Sequence, residues 1–255
     1  MILPYWRGLD QIAKTPVGKT CYDISAMALK TPGYLRTLVV VAFLLLEIAP
    51  AAAQGMSKDD IADARASIIV LNAIIDADPN DACLYFERGL YHKKLGDYQA
   101  ASRDFKAVDL LGYPYYKLEL YTLKGFCDSM NRDWYKAVED YNFALKLYNR
   151  ADYLYANRAE AFLRIKRYKL ALLDCHQAIK LDSHPGAAFS TAGEAYYRTG
   201  QYKYAVDYLN KAIQRNAGDA RAFYFRGLAL RKLGQKFPGD LDIGRARSLG
   251  MKSSP

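Results

Sequence analysis

Proline is scarce in this chain, nine among 255 residues, and no alternating β-branched run competes with its abundant Ala, Leu, Tyr and Lys. Both features argue against a sheet-built domain and for helix. The three histidines, His92, His176 and His184, stand in no H-E-x-x-H or other ligand spacing, and there is no C-x-x-C. A zinc site therefore has no motif to rest on. Phosphate-cradling loops of the G-x-x-x-x-G-K-[ST] or G-x-G-x-x-G kind are absent, and Ser and Asp are scattered without a nucleophile elbow. The chain reads as no enzyme, with no cofactor and no small-molecule substrate. Its net charge of +9 permits acidic partners, but many solvated helical proteins carry as much, and nucleic acid is not the expected ligand.

Long hydrophobic runs are also missing, with one short exception. Leu38–Leu46 is an uninterrupted apolar run, preceded by Arg36 and followed by Ala51 and Ala53 in a small-x-small arrangement. Basic flank, short apolar core and A-x-A are the parts of a secretory signal peptide, and the run falls far short of the ~20 residues that span a bilayer. A start at Met27 gives that signal ordinary proportions, so residues 1–53 read as leader plus signal, with cleavage after Ala53. Membrane contact is then expected only through this segment, and the mature chain is expected in a bacterial periplasm or outside the cell. No Cys follows the run directly, which argues against a lipid anchor.

What the chain has in plenty is internal repetition. Ser57-Lys58-Asp59-Asp60 has the form of a helix-starting capping box. The stripe Ile61, Ala64, Ile68, Leu71, Ile75 then marks a single helix over 57–78, an N-terminal cap on the repeats. From Ala82 onward a unit recurs with starts at Ala82, Leu118, Asp152, Gly186 and Ala220, at intervals of 36, 34, 34 and 34. The units are 82–117, 118–151, 152–185, 186–219 and 220–250, with a tail at 251–255. Each opens with an aromatic, at Tyr85, Tyr121, Tyr155, Phe189 and Phe223. A small residue follows four positions later, at Gly89, Gly125, Ala159, Gly193 and Gly227. The turn column is Gly96, Arg132, Lys166, Gly200 and Gly234, and Ala101, Ala137, Ala171 and Ala205 open the second helix. In the fifth unit Lys236-Phe237-Pro238-Gly239 breaks the pattern, which predicts a second helix starting near Pro238. Its Asp240, Asp242, Gly244, Arg245 and Arg247 suit a face that no further repeat covers. A period of this length means a helical solenoid.

These columns resemble the tetratricopeptide repeat family. The resemblance covers Ala82 to about Gly250 and implies an all-α, right-handed α-solenoid of helix-turn-helix repeats. Cys83, Cys127 and Cys175 fall at unrelated repeat positions, so no disulfide is expected and the thiols read as small core residues. His92 shares the column of Tyr196 and reads as packing.

The resemblance also implies a concave groove lined by the first helices, at repeat positions 2, 5, 9, 12 and 13. Here these positions give Phe86, Leu90, Phe126, Tyr224 and Leu228 as an apolar floor, interrupted by Glu160 and Glu194. Lys93, Lys94, Arg164, Tyr197, Arg198, Arg231 and Lys232 form a basic ridge. The expected partner is a protein or peptide segment with acidic residues, held by a non-catalytic scaffold or assembly cofactor of exported bacterial type. The carboxylate-clamp subtype, with Lys and Asn at positions 5 and 9, is absent. Two other readings stay open: an RNA-binding helical-repeat protein of the pentatricopeptide type, and a membrane-anchored adaptor that keeps its apolar segment.

Overall fold

The computed structural model describes residues 57–112, 117–181 and 185–251, and among them the secondary structure is eleven helices. The signal and leader, including Met27, Ala51 and Ala53, and also His184, lie outside the described residues. The chain divides at Asp133/Trp134 into two compact units. The first holds α1 (Lys58–Ala77), α2 (Ala82–Lys94), α3 (Tyr98–Leu110) and α4 (Lys117–Met130). The second holds α5 (Trp134–Leu147), α6 (Asp152–Arg164), α7 (Tyr168–Leu181), α8 (Gly186–Arg198), α9 (Tyr202–Arg215), α10 (Ala220–Lys232) and α11 (Lys236–Ser248).

Helix α1 begins at a capping box: the Asp60 amide donates to Ser57 Oγ at 3.0 Å, and the Ser57 amide donates back to Asp60 Oδ2. Within each unit consecutive helices pack as neighbours, and in the second unit α8 also touches both α6 and α10. The first helices of three successive repeats therefore stand side by side there. That contact is what a solenoid needs, because a lone helix pair leaves its apolar faces in water.

The turn residues explain the sharp reversals between paired helices within each unit. All five have left-handed backbone, with φ of 77° at Gly96, 66° at Arg132, 61° at Lys166, 78° at Gly200 and 83° at Gly234. At Gly200 the amide donates to the Tyr197 carbonyl and the next amide, of Gln201, to Tyr196, which closes the helix end in a Schellman motif. Lys166 and Arg167 repeat the same pair of bonds to Leu163 and Phe162. The alanine column that opens the second helix has a packing reason: Ala101, Ala137, Ala171 and Ala205 are fully buried.

Three details depart from the expectations above. The last helix starts at Lys236, two residues ahead of Pro238, because a proline in the first turn has no amide that the helix would use. Its residue Asp242, expected on an uncovered face, is buried against Arg226, while Phe237 and Leu241 on the same helix are 75% and 59% exposed. Of the three cysteines among the described residues, none in a disulfide, Cys127 and Cys175 are buried but Cys83 is only half-buried.

Candidate functional site

In the first unit, the expected groove residues Phe86 and Leu90 pack as half-buried side chains on the core of Ala101, Phe105, Leu120 and Leu123. Phe126 belongs to that core outright: it is 7% exposed and meets the edge of Tyr98 at 5.4 Å. Lys94 reaches Asp60 Oδ1 at 3.7 Å in the open. Two carboxylates here are desolvated. Burial, helped by the charge of Asp81, pushes Glu87 up to about 7, and burial raises Glu119 against the opposing charge of Lys93.

The second unit gathers the expected charged residues into one cluster. Glu160 and Arg164 lie one turn apart on α6, and Glu194 and Arg198 do the same on α8. Arg164 Nε donates to Glu160 Oε1 at 2.8 Å, and Arg198 Nη2 to Glu194 Oε1 at 3.1 Å. The basic ridge is thus not free charge over this stretch, because each arginine sits on its own helix's glutamate.

Arg221 on the first turn of α10 ties the two pairs together. Its Nε donates to Glu194 Oε2 at 2.6 Å and its Nη1 to Glu160 Oε2 at 2.9 Å, so one guanidinium spans three repeats. Thr191 Oγ1 adds a bond to Glu160 Oε2 at 3.1 Å. Burial works to raise the Glu160 carboxyl, but the charges of Arg221 and Arg164 and their hydrogen bonds prevail and hold it at about 2. Burial likewise opposes the charge on Arg221, and Glu160 and Glu194 outweigh it. Two buried polar atoms near this wall, Arg221 Nη2 and Ser190 Oγ, have no hydrogen-bond partner. Arg221 is not among the groove residues expected from the sequence, although its signal is present there: it is the sole cation in repeat position 2, beside Cys83, Glu119, Tyr153 and Ala187.

Around the cluster lie aromatic side chains. Tyr197 packs on Phe225 at 5.5 Å, Tyr224 meets Phe225 edge-on at 5.4 Å, and the Arg198 guanidinium lies over the Phe225 ring at 5.2 Å. Tyr224 and Leu228 are half-buried against the core of Ala222, Phe225 and Ala229. Arg231 is exposed and loosely paired with Asp240 at 3.5 Å, and Lys232 is exposed in the last turn of α10.

The described residues hold no group of three His, Cys, Asp or Glu that could bind a metal ion, and no helix long and apolar enough to cross a membrane. His92 lies half-buried, 4.0 Å from Asp104 of α3. His176 Nε2 lies within hydrogen-bond distance of the hydroxyls of Tyr196 and Tyr208, at 3.2 and 3.0 Å.

The family model described as Tetratricopeptide repeat matches residues 187–219, which are α8 and α9 with their turn. Among solved structures, MamA from Desulfovibrio magneticus RS-1 is similar, with a TM-score of 0.58 at 19% identity, over 68% of this chain and 97% of that one. YrrB, described as a TPR protein with an unusual peptide-binding site, gives a TM-score of 0.54 at 16% identity, over 71% of this chain and 92% of that one. Cut9 in its hetero-tetramer with Hcn1 gives 0.59 at 14% identity, over 85% of this chain and 43% of that one. These likenesses show a shared fold. No curated protein matches the sequence.

Proposed function

We propose that this chain, which shares the tetratricopeptide-repeat fold, is a non-catalytic interaction scaffold or assembly cofactor that holds a segment of a protein partner against its first helices. The observation that carries this reading is the wall made by α6, α8 and α10, which are in mutual contact through α8. That wall offers half-buried Tyr197, Tyr224 and Leu228 beside the Glu160–Arg221–Glu194 cluster. Aromatic anchors flanked by guanidinium groups are the side chains that dominate binding energy at interfaces. The peptide-binding site described for YrrB supports the same direction. Export through the Leu38–Leu46 signal belongs to this proposal, and it puts the partner in a bacterial envelope or beyond.

The reading is tested by panning a random-peptide phage library against the purified protein. Selected peptides should lose binding when Tyr224→Ala and Leu228→Ala are introduced, and keep it when exposed Leu173 is changed to Ala on the opposite helix layer. Failure to select any groove-dependent peptide, together with a salt-dependent shift of RNA by the protein, would replace the reading with nucleic-acid binding. Amino-terminal sequencing of the protein recovered from cells should begin at Gln54, and recovery with Leu38–Leu46 still attached would favour the anchored form.

A further inference from the structure

We propose that Arg221, held between Glu160 and Glu194, is an acceptor-binding subsite for one carboxylate of an acidic peptide segment, with Ser190 as its second polar contact; the assignment rests on the groove reading above. Three observations converge on it. The first is charge. Arg164, Arg198 and Arg221 supply three cations to two carboxylates, all joined by hydrogen bonds, so the cluster keeps one positive charge. The second is valence. Arg221 uses Nε and Nη1 on the two glutamates, while Nη2, shielded from solvent, has no acceptor at all. A guanidinium presents its donors in a fixed fork, so filling two prongs leaves the third pre-aimed. The third is Ser190, 4% exposed, whose Oγ is also without a partner. It sits one helical turn before Glu194, on the same face of α8 as Glu194 and Arg198.

The chemistry that completes such a site is an acceptor with negative charge. A cation would add to a charge already in excess, and a neutral apolar group would leave both donors unmet, at a cost a buried site cannot ignore. A carboxylate meets both needs, and it is the group whose planar geometry matches a guanidinium fork. The two glutamates have a positioning role. They fix the Arg221 side chain across α6, α8 and α10 before a ligand arrives, so little rotamer freedom is left to lose on binding. The Arg221 side chain remains 23% exposed and Glu160 28%, so part of the cluster is open to solvent. Nη2 itself is buried, so bringing a ligand oxygen to it requires the surrounding side chains to shift.

The test uses the full chain and an acetylated, amidated hexaglutamate peptide as probe, with hexaglutamine and hexauridylate as its neutral and phosphate counterparts. The Arg221 Nε–Hε resonance, assigned by its loss in Arg221→Lys, should move saturably with hexaglutamate and stay still with hexaglutamine. Arg221→Lys should weaken hexaglutamate binding on the order of tenfold, the scale of a lost charge-assisted pair. Ser190→Ala, which removes one hydroxyl and leaves the helix intact, should weaken it about threefold. An unmoved Arg221 resonance, equal binding of hexaglutamine, or preferential binding of hexauridylate at Arg221 overturns the proposal, and each can be read on the unaltered protein. The two readings fail separately. Groove-selected peptides without acidic residues would remove this subsite and leave the groove; a hexaglutamate response at Arg221 without any selectable peptide would do the reverse.

Discussion

Arg158 grips Asp174 with two parallel bonds, Nε to Oδ2 and Nη2 to Oδ1, each 2.7 Å, and sends its remaining nitrogen to Asn142 Oδ1 at 2.7 Å. The three residues come from α6, α7 and α5, so one side chain fastens a repeat to itself and to the repeat before it. The same clasp occurs with Arg88, Asp104 and Asn72, and again with Arg226, Asp242 and Asn210. In each case the partners lie sixteen residues either side of the arginine. The opening aromatic of the repeat, Tyr85, Tyr155 or Phe223, lies under the guanidinium.

Removing one half of such a clasp should hurt more than removing both. Arg158→Met leaves the largely buried Asp174 and Asn142 without their donor, and the expected cost is about 3 kcal/mol. Pairing it with Asp174→Leu should recover most of that loss, because the desolvated carboxylate is gone. Urea titrations of the two variants check this, and equal losses would mean that the clasp contributes through packing alone.

How much of this is legible in the sequence differs by level. The repeat period and the buried alanines can be read because they depend on one residue type at one spacing, and the turn column because glycine fills three of its five positions. The clasp cannot, although position 7 reads Arg, Lys, Arg, Ala, Arg, because its partners come from different helices and only folding unites them. The fourth repeat shows the cost of reading columns singly. There Ala192, Tyr208 and His176 occupy the three clasp positions, and a Tyr208–His176 hydrogen bond of 3.0 Å stands in for the ion pair. The groove charges fall on the expected helices, but a one-dimensional reading assigns Arg164 and Arg198 to a partner when Glu160 and Glu194 already hold them.

Glu87 should make stability fall as pH rises. Burial, aided by Asp81, lifts its folded pKa to about 7 from the ordinary 4.5. Between those values the folded protein binds a proton that the unfolded chain has released, so unfolding free energy decreases with pH in that window. Glu87→Gln removes the titration. The variant should match the parent near pH 4.5 and exceed it in stability above pH 7, with the gap opening in between. A gap independent of pH would show that Glu87 finds a compensating partner.

Two turns carry avoidable strain. Lys166 at φ 61° and Arg132 at φ 66° occupy the left-handed region that glycine fills at the equivalent Gly96, Gly200 and Gly234. A side chain there costs roughly 1–2 kcal/mol, while glycine adds freedom to the unfolded chain. The balance predicts that Lys166→Gly stabilises by about 0.5–1 kcal/mol. Gly200→Lys should destabilise by a similar amount. Thermal melts of the two variants should move in opposite directions, and a fall in both would mean that the Lys166 side chain makes contacts worth more than the strain.

Where the first and second helices of a repeat come closest, an added methyl should act according to what it meets. At Gly193 a Cβ would fall against the Leu209 side chain, nearest its Cγ and 2.6 Å from Cδ2, so that buried side chain would have to move as a whole. At Gly227 the Cβ would stand 2.6 Å from the Gly239 carbonyl oxygen and 2.9 Å from Ile243 Cγ1, and a helix backbone yields less readily than a side chain. Both substitutions to alanine over-pack the pair, at about 1–3 kcal/mol, with Gly227→Ala at the upper end. Their reach should differ as well. Among the described residues helix α11 packs chiefly on α10, whereas α8 and α9 have neighbours on both sides. Gly227→Ala should therefore release α11 first, raising amide exchange from Lys236 to Ser248 while α6 and α7 keep their protection. Gly193→Ala should instead raise exchange on both flanks, in α7 and α10 together. Uniform acceleration across the second unit by Gly227→Ala would mean that its repeats unfold as one cooperative block, with the last helix pair contributing to all of them.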